Sequence, residues 1–106
     1  MNEREFLFYL DDFAQNRYRH RHIWEKGRLI EFRIQYEALV DGEWRAIVRY
    51  DTAHGFAHKD TLHPDGTQTK DFYPNNTVTE VLTLGQRDIT ENWRTYRAKY
   101  EQEMTA

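Results

Sequence analysis

The chain has 106 residues, 39% of them hydrophobic and 31% charged, with six Phe, seven Tyr and three Trp, which predicts one domain spanning residues 1–106 around a core of rings. A net charge of −3 offers no global attraction to nucleic acid, and the absence of cysteine excludes disulfides, thiolate metal sites and a cysteine nucleophile. The longest apolar run, Phe6 to Leu10, is cut at once by Asp11 and Asp12, which excludes a membrane-spanning segment or signal peptide and predicts a soluble, cytoplasmic protein.

The first predicted element is a short helix over about Glu3 to Gln15. Phe6, Leu7, Leu10, Phe13 and Ala14 fall at helical spacing and would form one buried stripe. The period then changes to two. In "LIEFRIQYEALV", Ile30, Phe32, Ile34, Tyr36 and Ala38 alternate with Glu31, Arg33, Gln35 and Glu37; in "EWRAIVRYD", Trp44, Ala46, Val48 and Tyr50 alternate with Arg45, Ile47, Arg49 and Asp51. Such segments are antiparallel strands with one buried and one wet face.

The turns between them set the register. At Asp41-Gly42, a two-residue loop would place Ile34 opposite Arg49, whereas a three-residue loop keeps Ile34 opposite Val48 and Phe32 opposite Tyr50, so the longer loop is expected. At "HPDGT", a three-residue Pro64-Asp65-Gly66 loop pairs Asp60 with Lys70 and Lys59 with Asp71, each pair contributing roughly 0.2–1 kcal/mol. At "WEKGRL", two loop lengths remain open. One puts His20, His22 and Trp24 on the apolar face, the other sends both histidines to the wet face. After "PNN", the sequence "TVTE" is a capping box, and Val78, Val81, Leu82, Ile89, Trp93, Tyr96 and Tyr100 keep a helical stripe to about Glu103. Gly85 weakens that helix by about 1 kcal/mol relative to alanine. The expected fold is α+β: a four- to five-stranded antiparallel meander with a short N-terminal helix and a long C-terminal helix packed on one face.

Three histidines, His54, His58 and His63, crowd "RYDTAHGFAHKDTLHPDG". On a strand, His58 and Asp60 share a face, as would His20 and His22, but none of these spacings matches a specific metal signature, and neither metal nor cofactor is expected. Acid–base chemistry needs a group titrating near neutrality beside a charge partner. His54 and His58 are therefore the proton-transfer candidates, with Arg49 as a phosphate clamp and Asp51 as an orienter. Arg17, Arg19, Arg21 and Arg33 form a local basic stripe on an acidic chain and are the candidate nucleic-acid contacts, with Tyr18 and Trp24 as stacking surfaces.

The run from Arg28, with Arg49, Tyr50, Asp51, Gly55 and His58 followed by a helix containing "ENWRTYR", resembles the small TumE-type toxins of prokaryotic toxin–antitoxin modules over about residues 28–100. The resemblance implies an RNA-directed protein of a toxin–antitoxin or defence module, a metal-independent ribonuclease with RNA as substrate and an antitoxin as partner. The alternative is a non-enzymatic interaction domain that binds another protein or forms a homodimer.

Overall fold

The structure, a computed structural model, describes residues 2–52 and 56–105. It is α+β, with six strands and no N-terminal helix. The strands β1 (Asn2–Tyr9), β2 (Asn16–Glu25), β3 (Arg28–Val40), β4 (Glu43–Asp51), β5 (His58–Leu62) and β6 (Gln68–Phe72) form one antiparallel sheet in chain order. The helix α1 (Val78–Met104) lies across one face, chiefly over β3 and β4. No helix among the described residues is long and apolar enough to cross a membrane.

The expected helix at Glu3 to Gln15 is instead β1 and a tight turn. Five contiguous apolar residues satisfy both periods, and strand pairing decides between them. Phe6 stacks on the His20 ring at 4.3 Å and Phe8 on Tyr18 at 4.8 Å, both on the side facing α1. The Asp11 carboxylate then accepts the backbone N–H groups of Phe13, Gln15 and Asn16, closing the turn as an Asx motif rather than extending a helix.

The two upstream hairpins share a device that loop length alone does not reveal. Lys26-Gly27 and Asp41-Gly42 are both two-residue turns with positive φ throughout, at 51° and 76° and at 52° and 79°. Neither hairpin therefore has a three-residue loop. Each is followed by a bulge that inserts one unpaired residue, Ile30 in β3 and Ile47 in β4, and restores face matching. Ile34 lies opposite Tyr50 and Tyr36 opposite Val48. His20 and His22 lie opposite Ile34 and Phe32, on the helix side. The bulge at Ile47 also sends Trp44 and Ala46 to the open face, away from Val48 and Tyr50.

Downstream, the three-residue loop forms as expected: Asp60 pairs with Lys70 and Lys59 with Asp71, while the His63 N–H donates to the Thr67 carbonyl. The capping box is complete, with the Thr77 hydroxyl accepting from the Glu80 amide and the Glu80 carboxylate from the Thr77 amide.

The core joins Phe32, Ile34, Tyr36, Val48 and Tyr50 of the sheet to Val81, Gly85, Ile89, Trp93 and Tyr100 of α1. Gly85 is where helix and sheet touch: a Cβ there would lie 2.8 Å from Ile34 Cδ1 and 2.9 Å from the Tyr50 ring. Overpacking of this kind costs about 1–3 kcal/mol, against about 1 kcal/mol gained in helix propensity. Gly85→Ala is therefore expected to destabilise by about 1 kcal/mol net, measured by urea unfolding, with partial recovery when Ile34→Val is added.

Candidate functional site

The open face of the sheet, opposite α1, gathers most of the residues singled out from the sequence. Alternation puts Arg17, Arg19 and Arg21 of β2 there, with Arg33, Gln35 and Glu37 of β3, Arg49 and Asp51 of β4, His58 and Asp60 of β5 and Lys70 and Phe72 of β6. Register aligns them into rows across the strands. One row runs Arg21, Arg33, Asp51, His58, Phe72, and the next runs Arg19, Gln35, Arg49, Asp60, Lys70.

Asp51, His58 and Asp60 meet where these rows adjoin. His58 Nε2 lies 3.0 Å from Asp51 Oδ1 and 3.3 Å from Asp60 Oδ2. His58 Nδ1 lies 3.2 Å from the Phe56 carbonyl oxygen. The outer oxygen of each carboxylate takes a cation, Arg33 on Asp51 at 3.1 Å and Lys70 on Asp60 at 2.8 Å. All three central residues are buried, His58 to 4% exposure. Buried carboxylates and imidazoles need such pairing, because desolvation without a partner is costly.

The basic stripe is consumed within the chain. Arg17 and Arg19 both bind Glu37, at 2.5 and 3.1 Å, and Gln35 donates its amide to the same carboxylate. Burial alone would push the Glu37 carboxyl up, but hydrogen bonds from Arg17, Arg19 and Gln35 together hold it below its ordinary range. Arg17 also lies over the Trp44 ring at 3.8 Å. Arg21 bridges Glu3 and Glu31. Arg49 donates to Gln35 Oε1 at 2.7 Å rather than turning toward Asp51. Of the four proposed catalytic residues, Asp51 and His58 are in contact and Arg49 is a neighbour, while His54 lies outside the described residues.

Tyr18 and Trp24, named above as stacking surfaces, sit on the helix side. Tyr18 is buried there and donates or accepts at His20 Nδ1, 2.8 Å away. His20 Nε2 meets His22 Nδ1 at 2.7 Å, so the two rings bond to each other. Burial, with His22 and Arg4 nearby, pulls the His20 pKa down to about 4.

A second polar cluster on the helix side escapes sequence inspection because its members are far apart in the chain. Tyr50 and Tyr96 both donate to Asp88 Oδ2, at 2.7 and 2.6 Å, and Lys59 Nζ donates to the Tyr96 oxygen at 2.7 Å. Burial opposes ionisation of Asp88, but the Tyr96 and Tyr50 hydroxyls, Asn92 and Lys59 together hold its carboxyl below the usual range. Burial and the Asp88 carboxylate push both tyrosine hydroxyls up. Asp60 is expected from the sequence only as the partner of Lys70 and as a residue sharing a face with His58; its contact with the His58 ring emerges in the fold.

Fold and site together define a six-stranded antiparallel meander backed by one helix, with a sealed aspartate–histidine–aspartate cluster on its open face. The chain belongs to a family described as a domain of unknown function, DUF7718, whose match runs over residues 1–106. No curated protein and no solved structure matches it.

Proposed function

We propose that this is a binding domain rather than a catalyst, and that it pairs with a second copy of itself through the edge of β1. What carries the reading is the state of the open face: Arg17, Arg19, Arg21 and Arg33 are each tied to a carboxylate of the same chain, and His58 is sealed between two aspartates. Little is left there to move a proton or hold a phosphate.

The β1 edge has what self-pairing requires. It ends the sheet, and Leu7, Phe8 and Tyr9 are exposed, as is Phe13 in the turn that follows. An unpaired edge is a template for another strand. The Leu10 N–H donates to Asn16 of β2, so alternation turns the amides of Tyr9, Leu7 and Glu5 outward. A two-fold axis at Leu7 would then set Phe6 beside Phe8 and Glu5 beside Tyr9 of the second copy, with no like charges opposed from Glu5 to Tyr9. Moving the axis to Glu5 would oppose two carboxylates.

Analytical ultracentrifugation over a dilution series should find a dimer for the wild type and a monomer with unchanged circular dichroism for Leu7→Lys. A wild type that stays monomeric throughout would overturn the proposal.

A second reading, an RNA-directed toxin, is favoured by one feature. A hollow of about 350 Å³ near β1 is lined in part by Arg19, Arg21 and Arg33. Growth inhibition and RNA cleavage that are lost together in Arg49→Ala and His58→Ala would select it.

A further inference from the structure

We propose that Asp51, His58 and Asp60 form a binding site for a divalent first-row transition ion. Their donor atoms, one from each residue, all lie within 4.8 Å of one another, and all three residues are buried. The spacing suits an ion. A tetrahedral centre with bonds of about 2.0–2.1 Å sets its ligand atoms about 3.3 Å apart; here the imidazole nitrogen stands 3.0 and 3.3 Å from the two carboxylate oxygens.

The atoms facing away from the gap are held as those of metal ligands are. His58 Nδ1 is at hydrogen-bond distance from the Phe56 carbonyl, Asp51 Oδ2 takes Arg33 and Asp60 Oδ1 takes Lys70. A ligating histidine commonly donates its other N–H to a backbone carbonyl, and ligating carboxylates are themselves hydrogen-bonded. The ion-binding form is the neutral tautomer whose single N–H goes to the Phe56 carbonyl. With its single N–H given to Phe56, Nε2 presents a lone pair to two carboxylate oxygens. These three atoms are the donors offered to an ion. A transition ion fits them by chemistry as well as spacing, since one imidazole and two carboxylates suit Zn²⁺, Mn²⁺ or Fe²⁺. The competing occupant is a proton on Nε2, which would let the ring donate to the two aspartates.

The local charge sets how the site should behave. Arg33 and Lys70 already balance the two carboxylates, so the neutral-ring cluster sums to zero and the ion is attracted by its donors more than by net charge. Removing one cation should therefore tighten binding. Lys70 is the residue to remove, since its side chain is half exposed on the edge strand and glutamine keeps a donor for Asp60 Oδ1.

The test uses the full chain, stripped with chelator and dialysed, with Zn²⁺ and Co²⁺ as probes. The wild type should bind one equivalent of Co²⁺ with a saturable visible spectrum, and Zn²⁺ at a hundredfold excess over Kd should raise Tm by roughly 5–15 °C. Asp60→Asn should weaken binding at least tenfold, and Lys70→Gln should strengthen it several-fold. A folded wild type that shows neither a one-to-one Co²⁺ spectrum nor a Zn²⁺-dependent Tm leaves the proton as occupant and overturns the proposal. Undiminished binding by a folded Asp60→Asn places the ion elsewhere and overturns it as well.

Discussion

Glu37→Ala is expected to destabilise the protein by about 3–5 kcal/mol, the range for removing one member of a buried ion pair. Glu37 is 7% exposed and binds two arginines and an amide at once. Arg19 is half exposed, so water can replace its partner. Arg17 cannot be rescued in the same way: its side chain is 16% exposed and covered by Trp44, so it would keep a charge with no counterion. The double variant Glu37→Leu with Arg17→Met, which removes both buried charges, should recover most of the loss. Denaturant unfolding of the wild type, Glu37→Ala and the double variant measures this directly. If Glu37→Ala alone costs less than about 1 kcal/mol, the pair acts as an exposed one.

Acid should weaken the fold well before the carboxylates titrate. His20 is buried with a pKa pulled down to about 4, whereas an unfolded histidine titrates near 6.5. Below about pH 6.5 the unfolded chain therefore takes up a proton that folded His20 refuses, and stability falls until the pH reaches about 4. The difference of about two and a half units corresponds to about 3 kcal/mol, fully present above pH 6.5 and gone below pH 4. Glu37 and Asp88, whose folded pKa values are lowered, add a further loss at more acid pH. Urea midpoints measured across this range should show the slope. His20→Gln should be less stable at neutral pH, because Tyr18 and His22 lose their partner, but its slope between pH 6.5 and 4 should be shallower by one proton. An unchanged slope would mean that His20 titrates equally in both states.

Much of the architecture is legible in the sequence because pairing here is local. The alternation in β3, the charge pairs at Asp60–Lys70 and Lys59–Asp71 and the Thr77–Glu80 box are all short-range signals, and each is present in the fold. The N-terminal run is different. Phe6 to Leu10 fits a helix and a strand equally, and only β2 decides between them. The bulges are silent too, since Ile30 and Ile47 resemble ordinary strand residues and loop counting admits only whole-loop alternatives. Gly85 reads as a helix weakness until Ile34 and Tyr50 are seen against it. For the site, alternation puts Arg49 with Asp51 and His58 with Asp60, and only the pairing of β4 with β5 brings the two sets onto one face. It cannot say that Glu37 ties up two arginines, that Gln35 takes Arg49, or that Asp60 closes over His58. Those are cross-strand facts, and they turn a surface that looks available for catalysis into one whose charges are already engaged.

The chain-order meander also has a consequence in time. Every strand pairs with its immediate neighbour in sequence, so the sheet can assemble progressively as the chain emerges from the ribosome. Its apolar face cannot be finished that way, because Ile34, Tyr36, Val48 and Tyr50 are covered by α1, which follows all six strands. At about 5–20 residues per second, the 27 residues of α1 take roughly 1–5 s to synthesise. Throughout that interval a nascent sheet carries a bare aromatic surface, and newborn copies translated side by side meet with that surface uncovered.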